Sequence, residues 1–149
     1  AYKMIRPTQE EFAQRAKSCI DTYNGFYEKF PAHQFCFYSC DAERRQLELT
    51  HTICPDELNV YNTLHGGAMA WMVDSCAGLL CRSYMNITAC VTTNLNLSYI
   101  KAISPHDPIV IRAALSNEGR KVLHLTMDIH HRDTEQLYCT ASSTFYVCE

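Results

Sequence analysis

The stretch richest in chemical possibility is Leu58-Asn59-Val60-Tyr61-Asn62-Thr63-Leu64-His65-Gly66-Gly67-Ala68-Met69-Ala70-Trp71-Met72-Val73-Asp74. A glycine pair at a helix start lets a ligand approach the backbone closely, and the first N–H groups of a helix have no partner within it. Such an amide, aided by the helix dipole, can stabilise a developing oxyanion; close packing is the ordinary alternative use of the pair. Asp74 is the second feature, the only charged side chain from Ala68 to Cys81 in an otherwise small and apolar helix. An unpaired buried carboxylate is expensive, so it points to use unless it faces solvent or pairs with a distant arginine. At about 1.5 Å per residue, the Gly66 amide and Asp74 are roughly 12 Å apart along one helix. A reacting carbonyl and its nucleophile must come within about 3–3.5 Å. If both groups serve one substrate, Gly66 must meet Asp74 from another copy, with the helices antiparallel across a dimer.

Positioning these groups requires a rigid frame, and hydrophobic periodicity supplies one. Thr8 with Glu11 forms a capping box, and Phe12, Ala16, Cys19, Ile20, Tyr23, Phe26, Tyr27 and Phe30 recur at helical steps, predicting a helix from about 8 to 30 that Pro31 stops. Phe35–Cys40 and Leu47–Ile53 read as strands joined through the charged segment Asp41–Arg45, and Pro55–Asn62 reads as a polar loop. A second long helix is expected from about His65 to Met85. Beyond it the period changes to two: Val91, Thr93, Leu95, Leu97 and Tyr99 form one face, with Thr92, Asn94, Asn96 and Ser98 opposite. Ile109–Leu115, Leu123–Ile129 and Leu137–Val147 alternate likewise, separated by turns at Asn117–Arg120 and Arg132–Gln136. A mostly antiparallel sheet packed on the central helix, an α+β arrangement, satisfies all the inward rows.

Composition narrows the class. The 149 residues suit one domain able to bury its own core, and 47% hydrophobic against 19% charged residues excludes a disordered or fibrous chain. A net charge of −3 argues against a broad nucleic-acid surface. There is no apolar run of membrane-spanning length. Nine cysteines, an odd number with no Cys-x-x-Cys, are expected to be free, reduced, hydrophobe-like thiols. No zinc-ligand spacing occurs, and His130-His131 near a turn is read as solvent-exposed rather than as a metal site. His124 falls on an outer row, and Trp71 is read as packing. Nothing at the N-terminus reads as a signal peptide, and Lys3 and Arg6 soon meet Glu10 and Glu11, against a transit peptide. The expected location is cytosol or mitochondrial matrix.

Leu64-His65-Gly66-Gly67, with Asn59 upstream and Asp74 downstream, resembles the hotdog-fold acyl-CoA thioesterases of the phenylacetate-pathway and thioesterase-superfamily-member-2 type. Val91–Ile100 and Gly119-Arg120-Lys121 fall where that family has its central strand and a hairpin, so the resemblance covers roughly Leu47 to Val147. It implies an antiparallel sheet wrapped around a long central helix, with an extra N-terminal helix, in one domain over 1–149 whose core is about 33–149. It also implies homodimers assembling to a homotetramer. By the family's roles the Gly66 amide polarises a thioester carbonyl, while Asp74 of the neighbouring subunit acts as general base or nucleophile. Asn59 and His65 order the site, and Gly67 allows close approach of substrate. Thr92 stands where relatives carry a serine that orients water. The substrate implied is an acyl- or aryl-CoA, with no separate cofactor and no metal.

Coenzyme A is a good thiolate leaving group, so a strong general acid is not essential. Arg120 and Lys121 are the first candidates for its phosphates, with Lys101 and Arg132 behind them, against the alternative of ordinary solvated charge. Two other uses of the fold stand beside hydrolysis. One is a non-catalytic acyl-CoA binding or sensing protein; the other is a hydratase or dehydratase, whose usual paired His base a lone Asp fits less well.

Overall fold

The computed structural model describes residues 5–148; Lys3 and the two ends of the expected 1–149 domain lie outside the described residues. Two helices and six strands follow in the order α1 (Gln9–Phe26), β1 (Cys36–Asp41), β2 (Gln46–His51), α2 (Gly66–Met85), β3 (Cys90–Tyr99), β4 (Ile109–Glu118), β5 (Val122–His131) and β6 (Leu137–Val147). Single 3-10 turns at Pro31–His33 and Pro55–Glu57 precede β1 and α2 respectively. The strands form one sheet in the order β1-β2-β4-β5-β6-β3, every neighbouring pair antiparallel. The expected α+β architecture is therefore present, with its N-terminal helix.

Helix α2 is apolar on nearly every side because it is enclosed on two. Its Met72, Val73, Cys76, Leu79 and Leu80 are buried in one core with Leu47 and Leu49 of β2 and the inward rows of β4 and β5. On the other flank, Phe12, Ala16 and Ile20 of α1 are buried, and the Phe12 ring meets Tyr84 edge-on at 5.3 Å. The capping box at the start of α1 is complete: Glu11 N–H donates to Thr8 Oγ1 at 3.1 Å and Thr8 N–H to Glu11 Oε1 at 3.3 Å.

Several expected boundaries move. Helix α1 ends at Phe26 rather than near residue 30, because side chains from downstream take up its last carbonyls. Gln34 Nε2 donates to the Tyr27 and Asn24 carbonyls at 2.7 and 3.3 Å, and Asn24 exchanges two hydrogen bonds with the Phe35 backbone. Pro31 consequently opens a 3-10 turn instead of ending the helix, and Phe26 and Phe30 of the expected apolar face are exposed.

The inward row of β3 also changes. A bulge between Thr92 and Asn94 inserts one extra residue. Cys90, Thr92, Leu95, Leu97 and Tyr99 oppose the inward residues Val147, Phe145, Ser143, Ala141 and Cys139 of β6, while Val91 is 52% exposed. Strict alternation placed Thr92 outside; the bulge turns it towards α2. An irregularity at Ile129/His130 likewise exposes Leu137 and buries Tyr138. His130 is 5% exposed, not solvated, held by Asp128 at 2.7 Å and Arg112 at 3.1 Å on the face of the sheet away from α2.

Replacing Thr8 by alanine removes the bond from Glu11 N–H to the Thr8 hydroxyl and keeps the backbone N–H of residue 8 that meets the Glu11 carboxylate. The expected loss is about 1 kcal/mol of unfolding free energy, read as a lower urea midpoint at unchanged slope.

Candidate active site

The site is built around the first turn of α2. His65 is the N-cap, extended at φ −62° and ψ 137°, and its Nδ1 accepts the Gly67 amide at 2.8 Å. An Nδ1 that accepts leaves the neutral ring's proton on Nε2, facing outward as a donor. The Gly67 amide is thereby capped, whereas the Gly66 amide has no acceptor among the described residues. Both glycines have negative φ, so the pair serves close approach rather than backbone freedom. A Cβ at Gly66 would lie 3.2 Å from the Tyr99 ring, whose hydroxyl donates to the Gly66 carbonyl at 2.8 Å.

This turn is anchored from below. His65 N–H donates to the Glu57 carbonyl at 2.8 Å and Leu64 N–H to the Ile103 carbonyl at 2.9 Å. The Glu57 carboxylate is buried, 2.8 and 2.9 Å from His51 Nε2, and accepts the Cys54 amide at 2.7 Å. His51 Nδ1 is 2.6 Å from the Gln34 carbonyl, so both ring nitrogens face oxygen atoms. Asn59 acts one loop later. Its Oδ1 accepts from the Tyr61 and Thr63 amides and its Nδ2 donates to Thr63 Oγ1 at 2.9 Å. These bonds fix the loop on which Asn62 has a left-handed φ of 59°.

Asp74 lies two turns further along α2, half-buried and in no ion pair among the described residues. Thr92 Oγ1 donates to its Oδ1 at 2.6 Å, so the β3 bulge and the helix meet at this carboxylate. Tyr23 of α1, whose hydroxyl burial pushes up, bonds Ser75 beside it at 2.9 Å.

Within one chain the two groups stay apart. Gly66, Gly67, Asn59, Tyr99 and Lys101 line a cleft of ≈ 410 Å³. Asp74 and Thr92 line another of ≈ 530 Å³ together with Tyr23, Trp71, Arg82 and Cys90. Arg120 and Lys121 are exposed on the β4–β5 turn and line neither cleft; the Lys121 carbonyl accepts Val147 N–H, at the end of the sheet where β3 begins. Among the described residues no cluster of three or more His, Cys, Asp or Glu suits a metal ion, and no helix is long and apolar enough to cross a membrane.

Three residues of this frame escaped the sequence reading. His51 and Glu57 sit in a strand end and a polar loop where nothing marks a buried pair. Tyr99 was legible only as the last inward residue of β3.

A six-stranded antiparallel sheet wrapped around one long helix, with an open helix mouth, is the hotdog fold. The E. coli PaaI protein from the phenylacetic acid degradation operon superposes with a TM-score of 0.80 at 14% identity, covering 96% of this chain and 97% of that one. Thioesterase superfamily member 2 from Mus musculus gives 0.77 at 20% identity over 90% and 96%. Residues 61–138 match the Thioesterase superfamily. The chain belongs to that superfamily. In sequence it is 36% identical over 87 residues to the acyl-coenzyme A thioesterase THEM4 of Bos taurus, a match spanning 55% of this chain and 32% of that protein. A Streptococcus mutans protein, smu.793, solved bound to acetyl CoA, superposes with a TM-score of 0.69 at 22% identity over 76% and 88%.

Removing the Glu57 carboxylate orphans His51 Nε2 and the Cys54 amide together. Glu57→Ala is expected to lower stability by about 3 kcal/mol in denaturant titration. Glu57→Gln, which keeps one acceptor, is expected to lose less.

Proposed function

We propose that the chain hydrolyses acyl-CoA thioesters to the free acid and coenzyme A, at a site shared between two copies. The observation that carries this reading is the amide pair at the start of α2: His65 caps Gly67 and leaves the Gly66 amide open at the positive end of a helix. Such a donor matches the negative charge that develops on a thioester oxygen under attack. The family match and the acyl-CoA thioesterase relative support the same chemistry.

In this reading the carbonyl oxygen of the substrate accepts from Gly66 N–H, and Asp74 of a second copy faces the carbonyl carbon. The bond from Thr92 occupies Asp74 Oδ1 and leaves Oδ2 to take a proton from water. The Thr92 oxygen keeps lone pairs with which to hold that water. Attack forms the tetrahedral oxyanion, and its collapse expels the coenzyme A thiolate, which needs no strong acid to leave. Direct attack by Asp74, through an anhydride that water then opens, is the other route open to the same carboxylate. His65 and Asn59 act by holding the α2 mouth and its loop. Lys101, in the Gly66 cleft, is placed to meet phosphate alongside the Arg120 and Lys121 assigned from sequence. The separation of the two clefts within one chain supports at least a homodimer, and further pairing to a tetramer is part of the proposal.

Thiol release from a panel of acyl- and aryl-CoAs tests this. Asp74→Ala and Asp74→Asn are each expected to lower kcat about 10²-fold or more, and equal turnover in all three proteins overturns the role of Asp74.

The amide can be removed without changing a side-chain function. Residue 66 is the first helical position, and His65 already has the extended backbone that a following proline requires. Gly66→Pro is expected to lower kcat about 10²–10³-fold, and Gly66→Ala, which keeps the N–H, less. Mixed oligomers of Asp74→Ala and Gly66→Pro chains regain activity if the site is shared; verified mixtures that stay inactive overturn it.

A further inference from the structure

Trp71 is the single tryptophan of the chain, and its place on α2 puts it between the two groups of the proposed site. Gly67 and Ala68 lie one turn before it and Asp74 and Ser75 one turn after, so all five share one face of the helix. Gly67, Ala68 and Trp71 line a cleft of ≈ 300 Å³ together with His33, Leu58 and His65. Trp71 also lines the Asp74 cleft. Whichever copy supplies each group, the cleft beside that group has an indole in its wall.

The indole is held by neighbours from outside α2. The His33 ring stacks on it with 4.2 Å between centroids and 19° between planes, and the Tyr27 ring meets it edge-on at 5.5 Å. Phe30 in turn stacks on His33 at 5.6 Å. His33 Nδ1 is buried with no hydrogen-bond partner among the described residues, so ring contacts rather than a bond at that nitrogen fix the imidazole. The early end of α1 serves this arrangement. The bonds of Gln34 and Asn24 that stop the helix also lay the Pro31–His33 turn against Trp71.

We propose that Trp71, clamped by His33 and Tyr27, is the wall on which the acyl group of the substrate lies, and that it selects an uncharged aryl group over an aliphatic chain of similar size. The selectivity presupposes the hydrolysis proposed above; contact of the acyl group with the indole does not. Gly67 is common to this cleft and to the cleft that holds Gly66 and Lys101. A carbonyl at the Gly66 amide sits where the two meet. Coenzyme A then runs towards Lys101, and the acyl group runs the other way, towards Trp71. A flat group stacks on a ring already fixed in place at little cost in freedom, whereas an alkyl chain gives up several rotors to lie on the same surface. Charge in the cleft adds a second filter. Glu57 is engaged with His51, but Asp56 is exposed there, so an acyl group ending in a carboxylate meets like charge.

Thiol release by the full chain tests the selectivity with phenylacetyl-CoA and octanoyl-CoA, whose acyl groups have the same number of carbons, and with glutaryl-CoA. In kcat/KM, phenylacetyl-CoA is expected to exceed octanoyl-CoA about tenfold, with glutaryl-CoA below both. Trp71→Leu, which keeps an apolar side chain, is expected to abolish the aryl preference. Trp71→Phe keeps a ring and is expected to hold the preference within about threefold of the wild type. His33→Ala, which frees the indole, is expected to raise KM for phenylacetyl-CoA and leave that for octanoyl-CoA little changed. A mere loss of stability would lower both substrates together and leave their ratio where it was.

As the single tryptophan, Trp71 also reports contact directly through its fluorescence. The probe is the ketone analogue of phenylacetyl-CoA, with a methylene between sulfur and carbonyl, which cannot be hydrolysed. It is expected to change the emission saturably and by more than coenzyme A alone. An aryl preference that Trp71→Leu leaves intact, a wild type that prefers octanoyl-CoA or glutaryl-CoA, or an emission that responds to the ketone no more than to coenzyme A overturns the proposal. A chain that releases no thiol from any of the three thioesters, yet whose emission responds to the ketone, keeps the indole as the acyl-binding wall and overturns the hydrolysis. The two readings therefore fail separately.

Discussion

A helix that is apolar around most of its circumference has to be enclosed, and the enclosure of α2 organises the rest of the molecule. The sheet covers one flank and α1 the other, so the mouth of the helix is where its backbone meets solvent. Its first amides are there by necessity, since no helix can satisfy its own first turn. His65 takes one of them, and the buried His51–Glu57 pair holds the segment that carries His65. The chemistry at Gly66 thus begins as a packing consequence: burying the helix presents one end, and capping leaves the Gly66 amide open beside the cap.

The same rigid helix separates what it carries. Asp74 cannot be brought to Gly66 by any side-chain rotation, because two turns of backbone lie between them. What a single chain can do is prepare each half. The bulge in β3 turns Thr92 inward to hold the carboxylate, and Tyr99, further along the same strand, lies across Gly66 and bonds its carbonyl. One edge strand therefore touches both halves, and its register decides whether either is formed. A strictly alternating β3 would carry the Thr92 hydroxyl to the outer face.

The cysteines show how weakly linear spacing reports on where side chains lie. Cys76 is buried in the hydrophobic core, its sulfur facing the Leu47 and Ile111 carbonyls. Cys81 is equally buried, whereas Cys36 and Cys148 are exposed. No count or motif distinguishes these positions in advance.

Local signals in the sequence were enough for the two helices and the strands. Thr8 with Glu11, the apolar helical steps and the alternating rows of β4 and β5 each act over a few residues and need no distant partner to be read. They also identified Gly66 and Asp74, since an amide at a helix start and a lone carboxylate among apolar neighbours are visible in one dimension, as is the length of helix between them. Tertiary contact decided the remainder. Gln34 and Asn24 ended α1 early, the bulge reversed the start of β3, and Arg112 and Asp128 buried His130. The Glu57 carboxylate became a buried anchor only through His51, a residue on the neighbouring strand. For the end of α1, the burial of His130 and the Glu57 anchor, the deciding term includes a hydrogen bond between residues on different elements. Its strength depends on burial and exact approach, which the order of residues along the chain does not contain.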